Sequence, residues 1–253
     1  MPVIIVGMGL KIENLTGGYA GNIVLKDVSF NVDNGKIVAL IGLNGAGKST
    51  TINHIIGELQ PKQGSISLNG TLLSCQPTAF KSQIAYIPEQ PILYDELTLS
   101  EHLHLMLATH GKDDVTSWTY TMELLKMFRL QDKLKWLPIH FSKGMRQKVM
   151  LVAAFMLRSP LLIIDEPFLG LDTLAQKNVI GLIREQANNG SSVLMTTHLL
   201  ASSAQFVDEF IVLDQGSKYF SGTPQNLADK HGLTLSTLDN FFDLIPEVAN
   251  DKS

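Results

Sequence analysis

With 253 residues, 45% of them hydrophobic and 17% charged, the chain has material for a sizeable core and describes an ordered globular protein of one large or two small domains. A formal net charge of −4 excludes the basic face that a phosphate backbone demands, so no nucleic acid is expected as partner. The single cysteine, Cys75, excludes an intrachain disulfide and reads as a buried thiol in a reducing compartment, and the longest apolar run, nine residues from Val149 to Leu157, falls far short of the roughly 20 that span a bilayer.

Met1 to Gly9 is apolar but lacks the basic start of a secretory signal, and residues 1–7 read as a loose extension before the first strand. Leu10 to Leu15 alternates apolar and polar residues, Thr16 to Tyr19 reads as a turn, and Ile23 to Val32 alternates again. The expectation is an antiparallel hairpin. Tyr19, on its connecting loop, either stacks on a nucleotide base or fills the hairpin's own packing.

Ile37 to Ile41 is a short apolar run read as a buried parallel strand, and it feeds Gly42-Leu43-Asn44-Gly45-Ala46-Gly47-Lys48-Ser49-Thr50. This matches the phosphate-binding pattern G-x-x-x-x-G-K-[ST], with a helix predicted over Thr50 to Leu59. Glycines let the backbone turn its N–H groups inward on an anion, and the helix start adds partial positive charge. Gly42, Asn44, Gly45, Gly47, Lys48, Ser49 and Thr50 therefore form the expected cradle for a nucleoside triphosphate. Lys48 reaches the terminal phosphates and the Ser49 hydroxyl ligates Mg²⁺.

Gly64 to Gly70 reads as a strand and turn, and Ile84 to Ile87 as a buried strand stopped by Pro88. Gln90 follows, placed to ligate Mg²⁺ or to position water. From Leu99 to Arg158 the period changes to helical: helices are expected over Leu99–Thr109, Thr116–Leu130 and Lys143–Leu157, with Ser142 as N-cap of the last. The methionines here, Met122 and Met127 among them, read as core filler. Leu161 to Ile164 is a buried strand that ends on Asp165 and Glu166. Adjacent carboxylates at the end of a buried strand are costly without a metal or partner, so Asp165 is assigned to Mg²⁺ and Glu166 to the attacking water. A helix over Leu174–Asn188 and a strand over Ser192–Thr196 lead to His198, a candidate γ-phosphate contact. A strand pair around Phe210 to Phe220, a helix from Pro224 and a helix over Leu235–Ile245 complete the chain.

These pieces in this order resemble the ATP-binding subunits of ABC transporters. Phe141-Ser142-Lys143-Gly144-Met145-Arg146-Gln147-Lys148 is similar to that family's signature L-S-G-G-Q-x-Q-x, departing from it at Lys143 and Met145. The resemblance implies an α/β fold: a P-loop NTPase (RecA-like) core with a mostly parallel sheet, an N-terminal antiparallel β part and an inserted α-helical subdomain. The ATPase domain would span 10–230, with its core at about 10–90 and 159–222 and the helical subdomain at about 91–158. Residues 231–253 would form a short helical tail. It further implies that Tyr19 stacks on adenine and that Gln90, Glu166 and His198 are catalytic. Ser49, Gln90 and Asp165 would bind metal. Ser142, Gly144 and Asp172 would contact ATP across a head-to-tail dimer, either a homodimer or a heterodimer with a second ATPase subunit. The implied partner is an integral membrane permease subunit, met at the cytoplasmic face of the membrane near Gln90–Leu107. A soluble ATPase acting on a non-membrane complex is the alternative. Phe-Ser-Lys-Gly-Met and Glu-Pro-Phe-Leu-Gly-Leu-Asp are most similar to the Ecs-type ATPase subunits of bacteria.

Overall fold

In β1 (Leu10–Gly17) and β2 (Leu25–Val32) buried and exposed residues alternate, because each strand has one face on the core and one in water. A computed structural model describes this architecture for residues 9–244. The extension read over 1–7 and the end of the tail, Ile245 included, lie outside the described residues. β1 pairs antiparallel with β2 and, on its other side, with β4 (Gln63–Leu68), and β5 (Thr71–Leu72) closes a four-stranded sheet. The turn expected at Thr16–Tyr19 starts later, because β1 continues to Gly17. Ile23 belongs to the loop, 49% exposed, and β2 begins at Leu25.

In the second sheet β3 (Ile37–Ile41), β6 (Ile84–Ile87), β7 (Leu161–Ile164), β8 (Ser192–Thr196) and β9 (Glu209–Asp214) run parallel, and only β10 (Ser217–Gly222) is antiparallel. The six strands lie in the order β10-β9-β3-β8-β7-β6. All five residues of β3 are buried, and they divide by parity. Ile37, Ala39 and Ile41 join the core on the helical side, and Val38 and Leu40 join the core shared with the four-stranded sheet. β7 splits likewise, with Leu162 and Ile164 on the first side and Leu161 and Ile163 on the second. A sheet covered on both faces explains why these strands read as unbroken apolar runs. Each fully buried aliphatic side chain contributes roughly 1.5–3 kcal/mol.

Between β6 and β7 there are helices but no strand: α3 (Leu99–Thr109), α4 (Val115–Met127) and α5 (Lys143–Phe155). Each starts on a side-chain cap. Thr98 and Glu101 form a reciprocal capping box, Asp114 accepts from Ser117 N–H, and Ser142 accepts from Met145 N–H. α5 packs on α3, α4 and β6, with Phe155 and Leu151 fully buried, and it seats the helical region on the sheet.

Several expected boundaries move for local reasons. α1 covers Lys48–Ile55 instead of Thr50–Leu59, because Gly57, with φ 74°, reverses the chain before Pro61. α4 begins at Val115, after its Asp114 cap, and stops short of Leu130 because Arg129 has φ 59°. α5 ends at Phe155, and α6 (Thr173–Asn188) begins at Thr173 on an Asp172 cap. α2 (Pro77–Lys81) was not expected; its five residues carry one buried side chain, Phe80, too few to display a period. Small α7 (Leu200–Ser203) follows β8, and α8 (Pro224–His231) starts as expected. The helix expected from Leu235 is a 3-10 segment over Leu235–Asn240 followed by α9 (Phe241–Leu244). Two burial expectations fail: Cys75 is exposed, and Met127 is 41% exposed at the end of α4.

Candidate active site

The parallel strands β3, β8, β7 and β6 are neighbours, so the segments leaving their C-terminal ends meet along one edge of the sheet. Those segments begin at Gly42, Thr197, Asp165 and Pro88, and they carry the phosphate loop, His198, the two carboxylates and Gln90.

The loop from Gly42 to Gly47 is shaped by close approach. A Cβ at Gly42 would lie 2.5 Å from the Leu213 carbonyl oxygen, and one at Gly47 would lie 2.6 Å from Leu25 Cδ2, with Gly47 at φ 107°. α1 then starts with no side-chain cap and no acid in its first turn, which leaves its first N–H groups free to receive an anion. Lys48 Nζ folds back and donates to the carbonyls of Gly42 at 2.7 Å and Leu43 at 3.2 Å. Burial pushes the Lys48 ammonium down, and the facing carboxylates of Glu166 and Asp165 oppose that shift. Asn44 and Gly45 are exposed on the loop, Ser49 is exposed in the first turn of α1, and Thr50 is buried, its carbonyl accepting from His54 Nδ1 at 2.7 Å.

Opposite the loop, one hydroxyl organises the acids. Thr196 Oγ1, at the end of β8, donates to Asp165 Oδ1 at 2.5 Å and accepts from the backbone N–H of Glu166 at 3.0 Å. Glu166 has φ 51°, a left-handed conformation that costs a non-glycine residue about 1–2 kcal/mol. Its carboxylate accepts from His198 Nδ1 at 2.9 Å, which puts the ring proton on Nδ1 and turns Nε2 outward on a ring that is 66% exposed. The sequence placed Asp165, Glu166 and His198 at strand ends. It did not single out Thr196, although a hydroxyl as the last residue of a core strand beside the acidic strand is the signal that finds it.

The remaining expected residues are not hydrogen-bonded to this group. Among the described residues no hydrogen bond joins Gln90, Ser142 or Gly144 to Lys48 or Glu166. Gln90 is exposed, three residues beyond β6. Ser142 and Lys143 are exposed at the start of α5, and a Cβ at Gly144 would lie 3.3 Å from the Gly170 carbonyl oxygen, so the signature start abuts the loop that follows the acids. Asp172 is engaged within its own chain: Oδ1 accepts from Ala175 N–H at 2.8 Å and Oδ2 pairs with Lys148 Nζ at 2.9 Å. Lys148 ties α5 to the start of α6, a link that sequence reading did not assign. Tyr19 is 43% exposed, and its hydroxyl accepts from Asn53 Nδ2 on α1 at 2.7 Å.

A cavity of about 230 Å³ is lined by Ile92, Leu93 and Tyr94 and by His102, Met106 and Met150. Ile92 is 73% and Tyr94 57% exposed. Among the described residues the buried His102 finds no partner at Nδ1, and burial pushes its imidazole down. The Tyr86 phenol on the cavity wall is pushed up to about 12, by burial first and then by Asp165. Among the described residues no helix is long and apolar enough to cross a membrane.

Residues 25–169 match the family model described as ABC transporter. The chain is 49% identical over 233 residues to the ABC-type transporter ATP-binding protein EcsA of Bacillus subtilis (strain 168), covering 92% of this chain and 94% of that protein. It is 32% identical over 209 residues to the SkfA peptide export ATP-binding protein SkfE of the same organism, covering 82% of this chain and 86% of the other. A solved structure described as the ATP binding subunit of an ABC transporter superposes with a TM-score of 0.88 at 47% identity, covering 93% of this chain and 98% of that one.

Proposed function

This chain belongs to the ATP-binding subunits of ABC transporters and is an ATPase, and from that premise we propose that two ATP-loaded subunits close head to tail and drive a separate membrane permease in export. The observation that carries the chemistry is the brace in which Thr196 joins Asp165 to the backbone of Glu166 while His198 holds the Glu166 carboxylate.

The roles follow from the groups present. Tyr19 stacks on the base. Gly42, Asn44, Gly45, Gly47 and Thr50, with the free N–H groups of α1, cradle the triphosphate, and Lys48 exchanges two carbonyl acceptors for phosphate oxygens, which hold an ammonium more strongly. Ser49, Gln90 and Asp165 are an all-oxygen donor set suited to Mg²⁺, and Ser49 and Gln90 are exposed at the same sheet edge as Asp165. The ion would neutralise charge on the phosphate oxygens.

His198 Nδ1 and the Glu166 carboxylate are hydrogen-bonded partners at 2.9 Å. An arriving γ-phosphate is a stronger acceptor for His198, which releases Glu166 Oε2 to take a proton from the attacking water. Ser142 and Gly144 reach that phosphate from the opposing subunit, presenting a second helix start. Asp172 acts at the same junction through α6. The region 91–158 moves as a helical subdomain against the core. The exposed Ile92 and Tyr94 over their cavity receive an apolar side chain of the permease, at the cytoplasmic face of the membrane. The reading of export rests on the similarity to SkfE.

Purification of the tagged protein from its own cells in mild detergent tests the transport reading. A stoichiometric multi-span membrane protein with ATPase activity that depends on it is the expected result. Recovery with a soluble complex and no membrane protein would overturn the permease and leave the ATPase.

A further inference from the structure

The loop that carries Tyr19 is fastened at several points. Asn22 N–H donates to the Tyr19 carbonyl at 2.8 Å, Val24 N–H closes on the Gly17 carbonyl at 2.9 Å, and Lys62 Nζ grips the Gly21 carbonyl at 2.9 Å. Those contacts fix the backbone but not the ring. The ring is fixed at its far end, where the hydroxyl accepts from Asn53 Nδ2 at 2.7 Å. Asn53 lies four residues beyond Ser49 on α1, so the two share a helix face one turn apart. The helix whose start is the expected phosphate site therefore also holds the Tyr19 ring.

We propose that Asn53 is a positioning residue for nucleotide binding, which sets the Tyr19 ring in its base-stacking attitude before ATP arrives. The inference rests on the reading of Tyr19 as the residue that stacks on the base, and it adds a property that stacking alone does not have. Stacking uses the π-face, and a phenylalanine ring has the same face. A free aromatic side chain must lose rotamer freedom when the base docks, whereas one held by Asn53 has already lost it. The hydroxyl, which never touches the base, then matters for affinity. Among the described residues the one side-chain hydrogen bond of Asn53 goes to Tyr19, and Asn53 is assigned no part in the chemical step.

The experiment measures steady-state ATP hydrolysis by the full chain for wild type, Tyr19→Ala, Tyr19→Phe, Asn53→Leu and the double variant Tyr19→Phe/Asn53→Leu. Inhibition by inorganic tripolyphosphate, which has no base, is measured alongside. Tyr19→Phe and Asn53→Leu are each expected to raise KM for ATP roughly five-fold, the worth of one neutral hydrogen bond, with kcat within about two-fold of wild type. The double variant should be no worse than either single one, because both remove the same contact. Tripolyphosphate inhibition should stay constant across the set, which a general disturbance of α1 would not allow. Tyr19→Phe with the wild-type KM, while Tyr19→Ala is impaired, would overturn the role of Asn53 and leave stacking intact. An unchanged KM in Tyr19→Ala would remove the stacking reading itself.

Discussion

Thr196 carries more of the site than its size suggests, because its one hydroxyl both donates and accepts. By donating to Asp165 and accepting from the Glu166 backbone N–H, it ties the segment that carries both carboxylates to the neighbouring strand β8. The left-handed backbone of Glu166 persists because this bond and the His198 contact over-determine it. Thr196→Val keeps the branched shape that suits β8 but leaves the Glu166 N–H without an acceptor. The expected outcome is ATP binding near wild type with kcat reduced about ten-fold or more, since misplacement of a base by a fraction of an ångström is costly. A stopped assay of turnover beside a binding titration checks it, and an unchanged kcat would remove Thr196 from the positioning of Glu166. At this scale the sequence was readable wherever chemistry leaves a pattern. Lys48 sits in a spaced motif, and Asp165 and Glu166 follow an apolar strand. Thr196 and Asn53 belong to no spacing rule. Their importance lies in partners 31 and 34 residues away, Asp165 and Tyr19, which only the fold brings together.

Among the elements, α5 links the signature start to the rest of the molecule. Ser142 caps it, Gly144 abuts Gly170, and Lys148 on its second turn reaches Asp172 at the start of α6. The backbone N–H of Ala175, and after it the Lys148 hydrogen bond, hold the Asp172 carboxyl below the ordinary aspartate value of 3.8. A carboxyl held low in the folded chain stabilises it fully above its unfolded pKa, and that stabilisation is lost as pH falls through the lower folded value. Asp172→Asn keeps a capping oxygen and removes the charge. It is expected to lower Tm at pH 7 and to converge on wild type as pH falls below 3.8. Thermal melts across that range check it, and a gap independent of pH would contradict it. Helix starts were legible because Ser142 and Asp172 are good N-caps, but helix ends were set by Gly57, Arg129 and Arg158 taking positive φ. Such reversals leave only a faint mark when the residue is an arginine. The five residues of α2 are too short for periodicity to speak.

For the whole molecule, the parallel sheet covered on both faces was legible from the apolar runs of β3 and β7, and the helical character of Leu99–Phe155 from the change of period. Strand order was not readable, since nothing in β3 itself states that β8 and β9 flank it. That order brings the phosphate loop, the carboxylates and His198 to one edge and leaves Ile92 and Tyr94 exposed at a neighbouring cavity. An acid at that cavity should repel an apolar docking side chain, so Ile92→Asp is expected to abolish co-purification of the membrane subunit while ATP binding by the isolated chain is retained. Undiminished co-purification would move the docking face elsewhere. If ATP is held between two copies and hydrolysed with Glu166 as base, Glu166→Gln should accumulate as an ATP-bound pair. The decisive experiment is the light-scattering mass of Glu166→Gln with and without MgATP, alongside its turnover. A rise from the 27.8 kDa of one chain to twice that value is expected with ATP. Turnover should fall about 10²- to 10⁴-fold, and the rise should be lost when Lys48→Ala is added. A mass that stays at one chain, or turnover at the wild-type rate, would contradict it.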